Sequence, residues 1–374
     1  MDFGLDMLRQ SPVTETMAVS PLSVIFALAL VQVGAKGETK EQINEKISDG
    51  ATDDQIVDFY SNLANSTLTP SNGVEARIAN AFFMDKRFSI EKQYVDTIIE
   101  KYSAKVEALD FDQAKKTAEV LQFTLLKIMF SFCLQIIDEF VRETTEGKIK
   151  NFIKEDTVSG AISLIVNAIY FKAKWEHEFS KEKITNSTFY RAANKEKEME
   201  FLNEDNTLRN YTEDKDMEVL SLPYKDTSYA FNIFLPKRRS ALDILRRKLT
   251  GATIQNLLSN LQPTLLTTSF PKMKIETDFE LKEALIAMGV TEMFSDSANL
   301  TGIAKYPPLT VSDAAHKAII EVDEVGTVAA AATVLKVAMV TSVGQSMTRR
   351  FIADHPFIFV LTKDKNPLFM GQFA

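Results

Sequence analysis

The sequence has few of the residues on which enzyme sites and disulfide frameworks depend. Cys133 is its one cysteine, so no disulfide can form within the chain. The three histidines, His177, His316 and His355, have no metal-ligand spacing, and neither a Gly-x-Ser-x-Gly sequence nor a phosphate-binding glycine loop is present. We therefore expect no enzymatic activity, no metal site and no cofactor.

Long apolar runs, linkers and an excess of positive charge are also missing. No stretch reaches the ~20 apolar residues that a membrane helix needs, and no segment rich in proline, glycine or serine divides the chain. A single domain over residues 1–374 is therefore expected. The formal net charge of −8 argues against nucleic acid or a membrane as the main partner. Residues 1–9 have the pattern of an amphipathic helix rather than a secretory signal, which predicts a cytoplasmic protein but does not exclude secretion.

The sequence does contain an uncharged run of small residues near its C-terminus, which follows Glu324 and reads Glu324-Val-Gly-Thr-Val-Ala-Ala-Ala-Ala-Thr-Val-Leu335. Alanine favours helix, whereas the threonines and valines on either side of the four alanines favour strand. Small side chains enter a packed sheet without a clash, and no proline blocks the hydrogen-bonded ladder. The run therefore suits a segment that is exposed in one state and becomes a central strand in another.

Helix and strand patterns along the rest of the chain indicate an α+β fold. Ser20 followed by Pro21 is typical of a helix start, with serine as the N-cap and proline in the first turn. We predict helices over residues 2–10, 21–33, 38–47, 91–103 and 278–288, and strands over residues 74–84, 161–172, 264–276, 310–323, 356–363 and 367–373.

Short motifs spread along the whole chain match one known family, in the family's order. They are Val19-Ser-Pro-Leu-Ser-Val24, Gly34-Ala-Lys-Gly-Glu-Thr39, Ile78-Ala-Asn-Ala-Phe-Phe83, Thr144-Thr-Glu-Gly-Lys-Ile149, Val166-Asn-Ala-Ile-Tyr-Phe-Lys172, Met288-Gly-Val-Thr-Glu-Met-Phe294, Ala315-His-Lys-Ala318, Glu324-Val-Gly-Thr327 and Pro367-Leu-Phe-Met-Gly371. The chain resembles a serpin, and specifically an inhibitory, intracellular one. The resemblance implies a serpin fold with three β-sheets, about eight or nine helices and an exposed reactive loop near the C-terminus, with hinge and loop within residues 324–350.

The resemblance also assigns roles to particular residues. It implies a polar cluster, the shutter, where the main sheet must part, and a breach at the top of that sheet, where the loop first inserts. Glu324 at the loop base would pair with Lys272, and alternate small residues of the hinge would face inward after insertion. By resemblance, the shutter comprises Ser20, Ser23, Asn167 and His316, the breach comprises Trp175 and Lys272, and the hinge comprises Glu324, Gly326, Thr327, Ala329, Ala331 and Thr333.

The family's spacing also implies a bait bond for the target protease. Counting fifteen residues from Gly326 places it between Val340 and Thr341, with Met339–Val340 as the alternative. Both bonds offer an apolar residue of medium size, which predicts a chymotrypsin-like or elastase-like serine protease and leaves a papain-like cysteine protease open. The implied mechanism is suicide-substrate inhibition, in which an acyl-enzyme forms and the cleaved loop inserts into the main sheet of a monomeric inhibitor.

Residues 120–135 do not fit the family pattern. This insert places sixteen largely apolar residues ahead of a predicted helix, and without it residues 117–119 would run directly into that helix. A retained in-frame intron is one origin, and a glutamine codon CAA at position 135 would eliminate it. A genuine insertion that extends the helix is the other. The insert also favours an alternative function, a non-inhibitory serpin-fold binding protein or an inactive isoform, because the following helix must shift while the loop enters.

Overall fold

The computed structural model of the protein consists of helices grouped around two β-sheets. It describes residues 1–48, 50–111, 124–191, 195–327 and 348–374, with the backbone alone described for residues 124–132. The helices are α1 (Asp2–Arg9), α2 (Pro21–Gly34), α3 (Gly37–Ile47), α4 (Asp53–Leu68), α5 (Lys92–Tyr102), α6 (Thr124–Thr144), α7 (Glu155–Val158), α8 (Leu242–Lys248), α9 (Gly251–Ser259) and α10 (Leu281–Ala287). The strands are β1 (Met17–Val19), β2 (Val74–Asp85), β3 (Lys105–Leu109), β4 (Ser163–Lys174), β5 (Thr185–Tyr190), β6 (Glu196–Glu213), β7 (Met217–Pro223), β8 (Tyr229–Pro236), β9 (Gln262–Pro271), β10 (Met273–Glu280), β11 (Asp313–Val322), β12 (Gly326–Thr327), β13 (Arg349–Ile352), β14 (Phe357–Lys363) and β15 (Asn366–Phe373).

The six-stranded sheet positions the candidate site. Strands β10, β11, β4, β2 and β3 lie side by side in that order, and β12 pairs with the end of β4. On one side of β4, β11 runs parallel to it from Asp313 opposite Leu164 to Ile319 opposite Tyr170. On the other side, β2 runs antiparallel to it. Because β4 has neighbours on both sides, its sequence is the continuous apolar run that is typical of a central strand.

The nine-stranded sheet has the order β1-β15-β14-β8-β7-β6-β9-β13, with β5 paired to β6. Strand β6 is 18 residues long and pairs with β5 near its start and with β7 near its end. Two of the three expected sheets are therefore joined here into one hydrogen-bonded unit. The α+β serpin fold is confirmed, and the described part of the chain has ten helices rather than eight or nine because short elements such as α7 are included.

Two apolar clusters lie on opposite faces of the six-stranded sheet. The larger one fills the space between the two sheets and includes side chains of α1 to α5. The smaller one lies under α6, where Ile137 and Val141 are fully buried. Val166 of β4 and Ile319 of β11 belong to this same cluster. Helix α6 packs on β2, where Phe140 meets Phe83 edge to face, and it shares this apolar cluster with β4 and β11.

Local sequence explains several element boundaries and corrects one prediction. The Ser20 hydroxyl accepts a hydrogen bond from the Ser23 amide at 3.3 Å, so α2 begins as expected. The single strand predicted over residues 264–276 is wrong, because the chain breaks at Lys272 into β9 and β10, which belong to different sheets. At this break the Lys272 amide donates to the carbonyl of Glu200 at 2.8 Å.

The apolar insert is helical over the residues that the structure describes. Helix α6 runs without a break from Thr124 to Thr144, so residues 124–135 extend the helix that the sequence predicts after them. Cys133 lies buried in the smaller cluster, and this burial raises the pKa of its thiol. Residues 120–123 lie outside the described part of the chain, and the retained-intron origin stays a prediction.

Candidate functional site: hinge, breach and shutter

The first residues of the predicted hinge form a strand. Gly326 and Thr327 make up β12 and pair antiparallel with Lys174 and Ala173 of β4. The neighbouring strand β11 pairs with β4 only as far as Tyr170, so β12 takes the place beside β4 that β11 leaves. The chain therefore turns back after β11 and pairs with the last residues of β4. Over residues 164–170 of β4, β4 and β11 are instead paired with each other.

Gly326 is required by the closeness of this approach. A Cβ atom at position 326 would lie 2.0 Å from the carbonyl oxygen of Ala173 and 2.7 Å from the Cα atom of Lys174. Both contacts are with backbone, which cannot swing away as a flexible side chain does. Glycine is the residue that allows the hinge to lie against β4 at this point.

Asp323 holds the turn between β11 and β12, a role that the sequence analysis missed. Its Oδ1 atom accepts the amides of Val325 and Gly326 at 2.9 and 3.0 Å, and its own amide donates to the Gly326 carbonyl at 2.8 Å. An aspartate that accepts backbone amides two and three residues ahead is a known turn-forming signal. The Asp323-Glu-Val-Gly326 sequence carried that signal, so this residue could have been found.

Trp175 fixes the base of the hinge from the side of β4. Its indole Nε1 donates to the carbonyl of Asp323 at 2.8 Å, and its amide donates to the carbonyl of Val325 at 2.9 Å. Its ring stacks on Tyr224 with the centroids 4.5 Å apart. The Tyr224 hydroxyl in turn lies 2.9 Å from the hydroxyl of Thr327. Tyr224 is a second residue that sequence reasoning missed, and no spacing or motif pointed to it.

Glu324 and Lys272, the expected pair at the loop base, are in contact. The Lys272 ammonium lies 3.0 Å from a carboxylate oxygen of Glu324, and Lys181 approaches the same carboxylate at 3.7 Å. Burial by itself would raise the pKa of Glu324, but a backbone hydrogen bond and Lys272 outweigh it, and the pKa lies below its ordinary value. The Phe179 amide donates to the Glu324 carbonyl at 2.8 Å, so the backbone at the base is also held.

The four expected shutter residues lie together in the interior. Ser20 donates its backbone amide to His316 Nε2 at 3.0 Å, and the Ser23 hydroxyl donates to Asn167 Oδ1 at 2.9 Å. Asn167 also contacts Asn80, which the sequence analysis did not single out. Asn80, Asn167 and His316 stand at one level of β2, β4 and β11, because each is the register partner of the next.

The shutter hydrogen bonds define the protonation state of His316. Nε2 accepts the Ser20 amide, so the ring proton is on Nδ1, which faces Asn167 Oδ1. Burial lowers the pKa of His316 from 6.5 to about 3. The imidazole is therefore neutral at physiological pH, as a histidine with satisfied hydrogen bonds inside a core should be. It links β11 to β4 and to the start of α2.

The remaining predicted loop residues lie outside the described part of the chain. They are Ala329, Ala331 and Thr333 of the hinge, and Met339, Val340 and Thr341 of the bait region. Beyond them the chain resumes at Thr348, whose hydroxyl donates to Asn206 at 2.7 Å, and continues into β13.

Within the described residues, no group of three or more histidine, cysteine, aspartate or glutamate side chains could hold a metal ion. No helix there has the length and apolar character needed to cross a membrane. The chemistry that these residues offer is structural: they fix one end of a loop at the gap between two strands.

Comparison with known proteins gives the class of the molecule. The family model described as "Serpin (serine protease inhibitor)" matches residues 1–374, and the chain belongs to the serpin family. Human Serpin B4 is 31% identical to it, over 95% of this chain and 92% of its own length. The leukocyte elastase inhibitor of Xenopus laevis is 30% identical, over 96% and 93% of the two chains.

The crystal structure of Serpin48 from the insect Tenebrio molitor, described as a highly specific serpin, matches the fold with a TM-score of 0.84. The two sequences are 27% identical, and the match covers 99% of this chain and 94% of that one. The expected family is thereby confirmed, and protease inhibition is the general activity that these relatives support.

Proposed function

We propose that this serpin inhibits a chymotrypsin-like or elastase-like serine protease as a suicide substrate. The observation that carries the proposal is the pairing of β12 with β4: the small-residue segment already begins as a strand at the point where β4 and β11 diverge. A segment that needs only to continue in the same direction is well placed to become a full strand of the sheet.

The chemical step takes place on the predicted bait bond. The serine oxygen of the protease attacks the carbonyl carbon of Val340, and the bond from that carbon to the nitrogen of Thr341 breaks. The amine of Thr341 leaves with the proton that the serine gave up, and an ester joins Val340 to the protease. Loop insertion then carries the ester-linked protease away from its starting position and distorts its oxyanion site, which stops hydrolysis of the ester.

Insertion exchanges one strand interface for two. It separates β11 from β4 along the parallel ladder between Asp313 and Ile319 and breaks the contact between His316 and Asn167. The incoming strand pairs with both neighbours, so it replaces more backbone hydrogen bonds than it breaks. The free energy released is what drives the protease along with the loop.

Thr327 sets which hinge residues face the core. Its side chain is fully buried and contacts Tyr224 in the space between the two sheets. Because strand side chains alternate, Ala329, Ala331 and Thr333 would point to the same side, and all three are small enough to enter it. Val328 would point to the outer face, opposite Lys172, if the register of β12 continues.

One gel tests the proposal. Mixed with chymotrypsin, the protein should give a covalent band that survives SDS, and chymotrypsin with its serine already blocked should give none. Cleavage without a covalent band would instead favour the non-inhibitory alternative that residues 120–135 suggest. A papain-like target, a monomeric state and a cytoplasmic location stay predictions.

A further inference from the structure

A groove of about 390 Å³ lies where the free edge of β10 meets the β5–β6 hairpin. Lys272 is the one residue of the groove lining that also contacts the described part of the hinge, through Glu324. A volume of this size falls in the range of sites that hold small organic molecules. Its lining includes the apolar side chains of Phe189, Met199 and Phe373.

The floor of the groove is apolar. Phe189 and Phe373 meet edge to face with ring centroids 5.0 Å apart, and both rings are buried. Met199 lies beside them and is only partly buried. Phe189 of β5 and Lys197 of β6 are register partners, so their side chains lie on the same face of the hairpin. This face therefore presents an apolar group beside a cationic one.

Four cationic side chains line the groove of a protein whose net charge is −8. Arg191, Lys197, Lys272 and Lys274 line it against one acid, Glu276. That acid is already paired with a cation outside the groove lining, because Lys317 lies 2.7 Å from its carboxylate. Three of the four cations have partners too: Lys272 lies 3.0 Å from Glu324, Lys274 lies 3.9 Å from Glu321, and Arg191 Nε donates to the backbone oxygen of Ala374 at 2.8 Å. Lys197 is exposed and has no ion pair among the described residues.

We propose that this groove binds a small amphipathic anion, an aromatic or short-chain carboxylate or sulfonate. The apolar part would rest on Phe189, Met199 and Phe373, and the anionic group would face Lys197 and the other cations at the rim. An anion is favoured over a neutral ligand because Lys197 offers a positive charge that no acidic side chain among the described residues already neutralises.

Binding at the groove is linked to the hinge through Lys272. The same ammonium group borders the groove and holds Glu324 at 3.0 Å, so a bound anion and Glu324 share one cation. Linkage is reciprocal, so whatever weakens the pair with Glu324 strengthens binding of the anion. Ligand binding itself does not depend on the proposed protease trapping.

The probe for the experiment is 8-anilinonaphthalene-1-sulfonate, titrated into the intact protein and followed by fluorescence, with neutral N-phenyl-1-naphthylamine as its uncharged analogue. Lys197→Glu should weaken sulfonate binding about tenfold, and Lys92→Glu, an exposed lysine on α5, should leave it unchanged. Met199→Trp, which fills the groove without changing its charge, should weaken the binding of both probes.

Thermal melting of each variant establishes that it is folded.

Saturable binding of one sulfonate per chain that responds in this pattern supports the site. Equal affinity of wild type, Lys197→Glu and Met199→Trp overturns it, as does equal weakening of the neutral probe by Lys197→Glu. Glu324→Gln should tighten sulfonate binding, and unchanged affinity would overturn the link through Lys272. None of these outcomes changes with the result of the protease gel.

Discussion

Among the glycines that the structure describes, Gly326 is the one whose replacement meets the closest obstacle, since a Cβ atom there would lie 2.0 Å from a backbone oxygen of β4. We expect Gly326→Ala to displace β12 and to lower the free energy of unfolding by about 1–3 kcal/mol, measured by urea denaturation. Gly37→Ala is the matched control, because its added Cβ meets no atom within 4 Å and costs only backbone strain. Equal losses in the two variants would show that the close approach to β4 is not what requires glycine.

His316 makes the stability of the protein depend on pH. Burial lowers its folded pKa to about 3, whereas the unfolded chain binds the proton near 6.5. The contribution of His316 is therefore complete above pH 6.5 and is lost progressively as the pH falls from 6.5 towards 3, at up to about 1.4 kcal/mol per pH unit. His316→Gln should be less stable near neutral pH but should decline less steeply below pH 6.5 when urea unfolding is followed against pH.

The exposed His177→Gln is the control for that comparison, and it should keep the wild-type slope. A wild-type slope in His316→Gln as well would mean that other groups carry the acid sensitivity.

Single residues were predictable from the sequence where a motif carried them. Ser20, Ser23, Asn167 and His316 came from the family resemblance, and the structure brings all four together. Asn80 and Tyr224 could not be placed in this way, because their roles arise from strand register, from stacking on Trp175 and from side-chain hydrogen bonds to residues 87 and 103 positions away. Such partners become visible only once the strands are paired.

The hinge is the first feature at the scale of elements. If β12 extends in register, Ala329 faces the core opposite Phe171, and Val328 faces outward opposite the exposed Lys172. We expect Ala329→Glu to turn the protein into a substrate that is cleaved without a covalent complex, because a buried carboxylate stalls insertion. Val328→Glu should still form the complex.

The measurement is the number of inhibitor molecules consumed per protease molecule inactivated. It should rise at least about tenfold for Ala329→Glu and stay within about twofold for Val328→Glu, since a charge on the outer face remains solvated. Equal effects of the two substitutions would rule out alternating burial of the hinge.

Helix α6 is the second feature at this scale. It packs on β2 and shares an apolar cluster with β4 and β11, and the insert lengthens it, with Cys133 buried in that cluster. We expect deletion of residues 120–135 to speed the formation of the covalent complex, because a shorter helix has fewer apolar contacts to release while the strands part. Slower or abolished complex formation in a deletion variant that melts cooperatively would show that the insert supports the function.

Elements with strong local signals were predicted well. Helix α2 was expected over residues 21–33 and spans Pro21–Gly34, and the last two strands were also expected within a residue of their observed bounds. Helix α4 was not predicted, and neither was the break at Lys272. Strand β9 ends there at Pro271, which has no amide to continue the ladder, and the Lys272 amide donates to the carbonyl of Glu200. The proline is a local signal for the break that the sequence analysis did not use.

At the scale of the whole molecule, the six-stranded sheet could gain backbone hydrogen bonds if β12 became longer. Strand β12 has two residues, and beyond it β4 and β11 are paired only with each other on the facing edges. Neither propensity nor periodicity in the sequence gives the free-energy difference between this fold and the fold with the loop inserted, because that quantity compares two complete folds. The small-residue run indicates only that the second fold is sterically accessible.

The most direct test of the account is to compare thermal unfolding of the intact protein with that of protein nicked in the loop by a catalytic amount of protease. If the severed loop becomes a full strand between β4 and β11, the nicked form should melt more than about 10 °C above the intact form. If the two forms melt at the same temperature, or the nicked form melts lower, then loop insertion does not stabilise the fold. Trapping of a protease by strand insertion would then be contradicted.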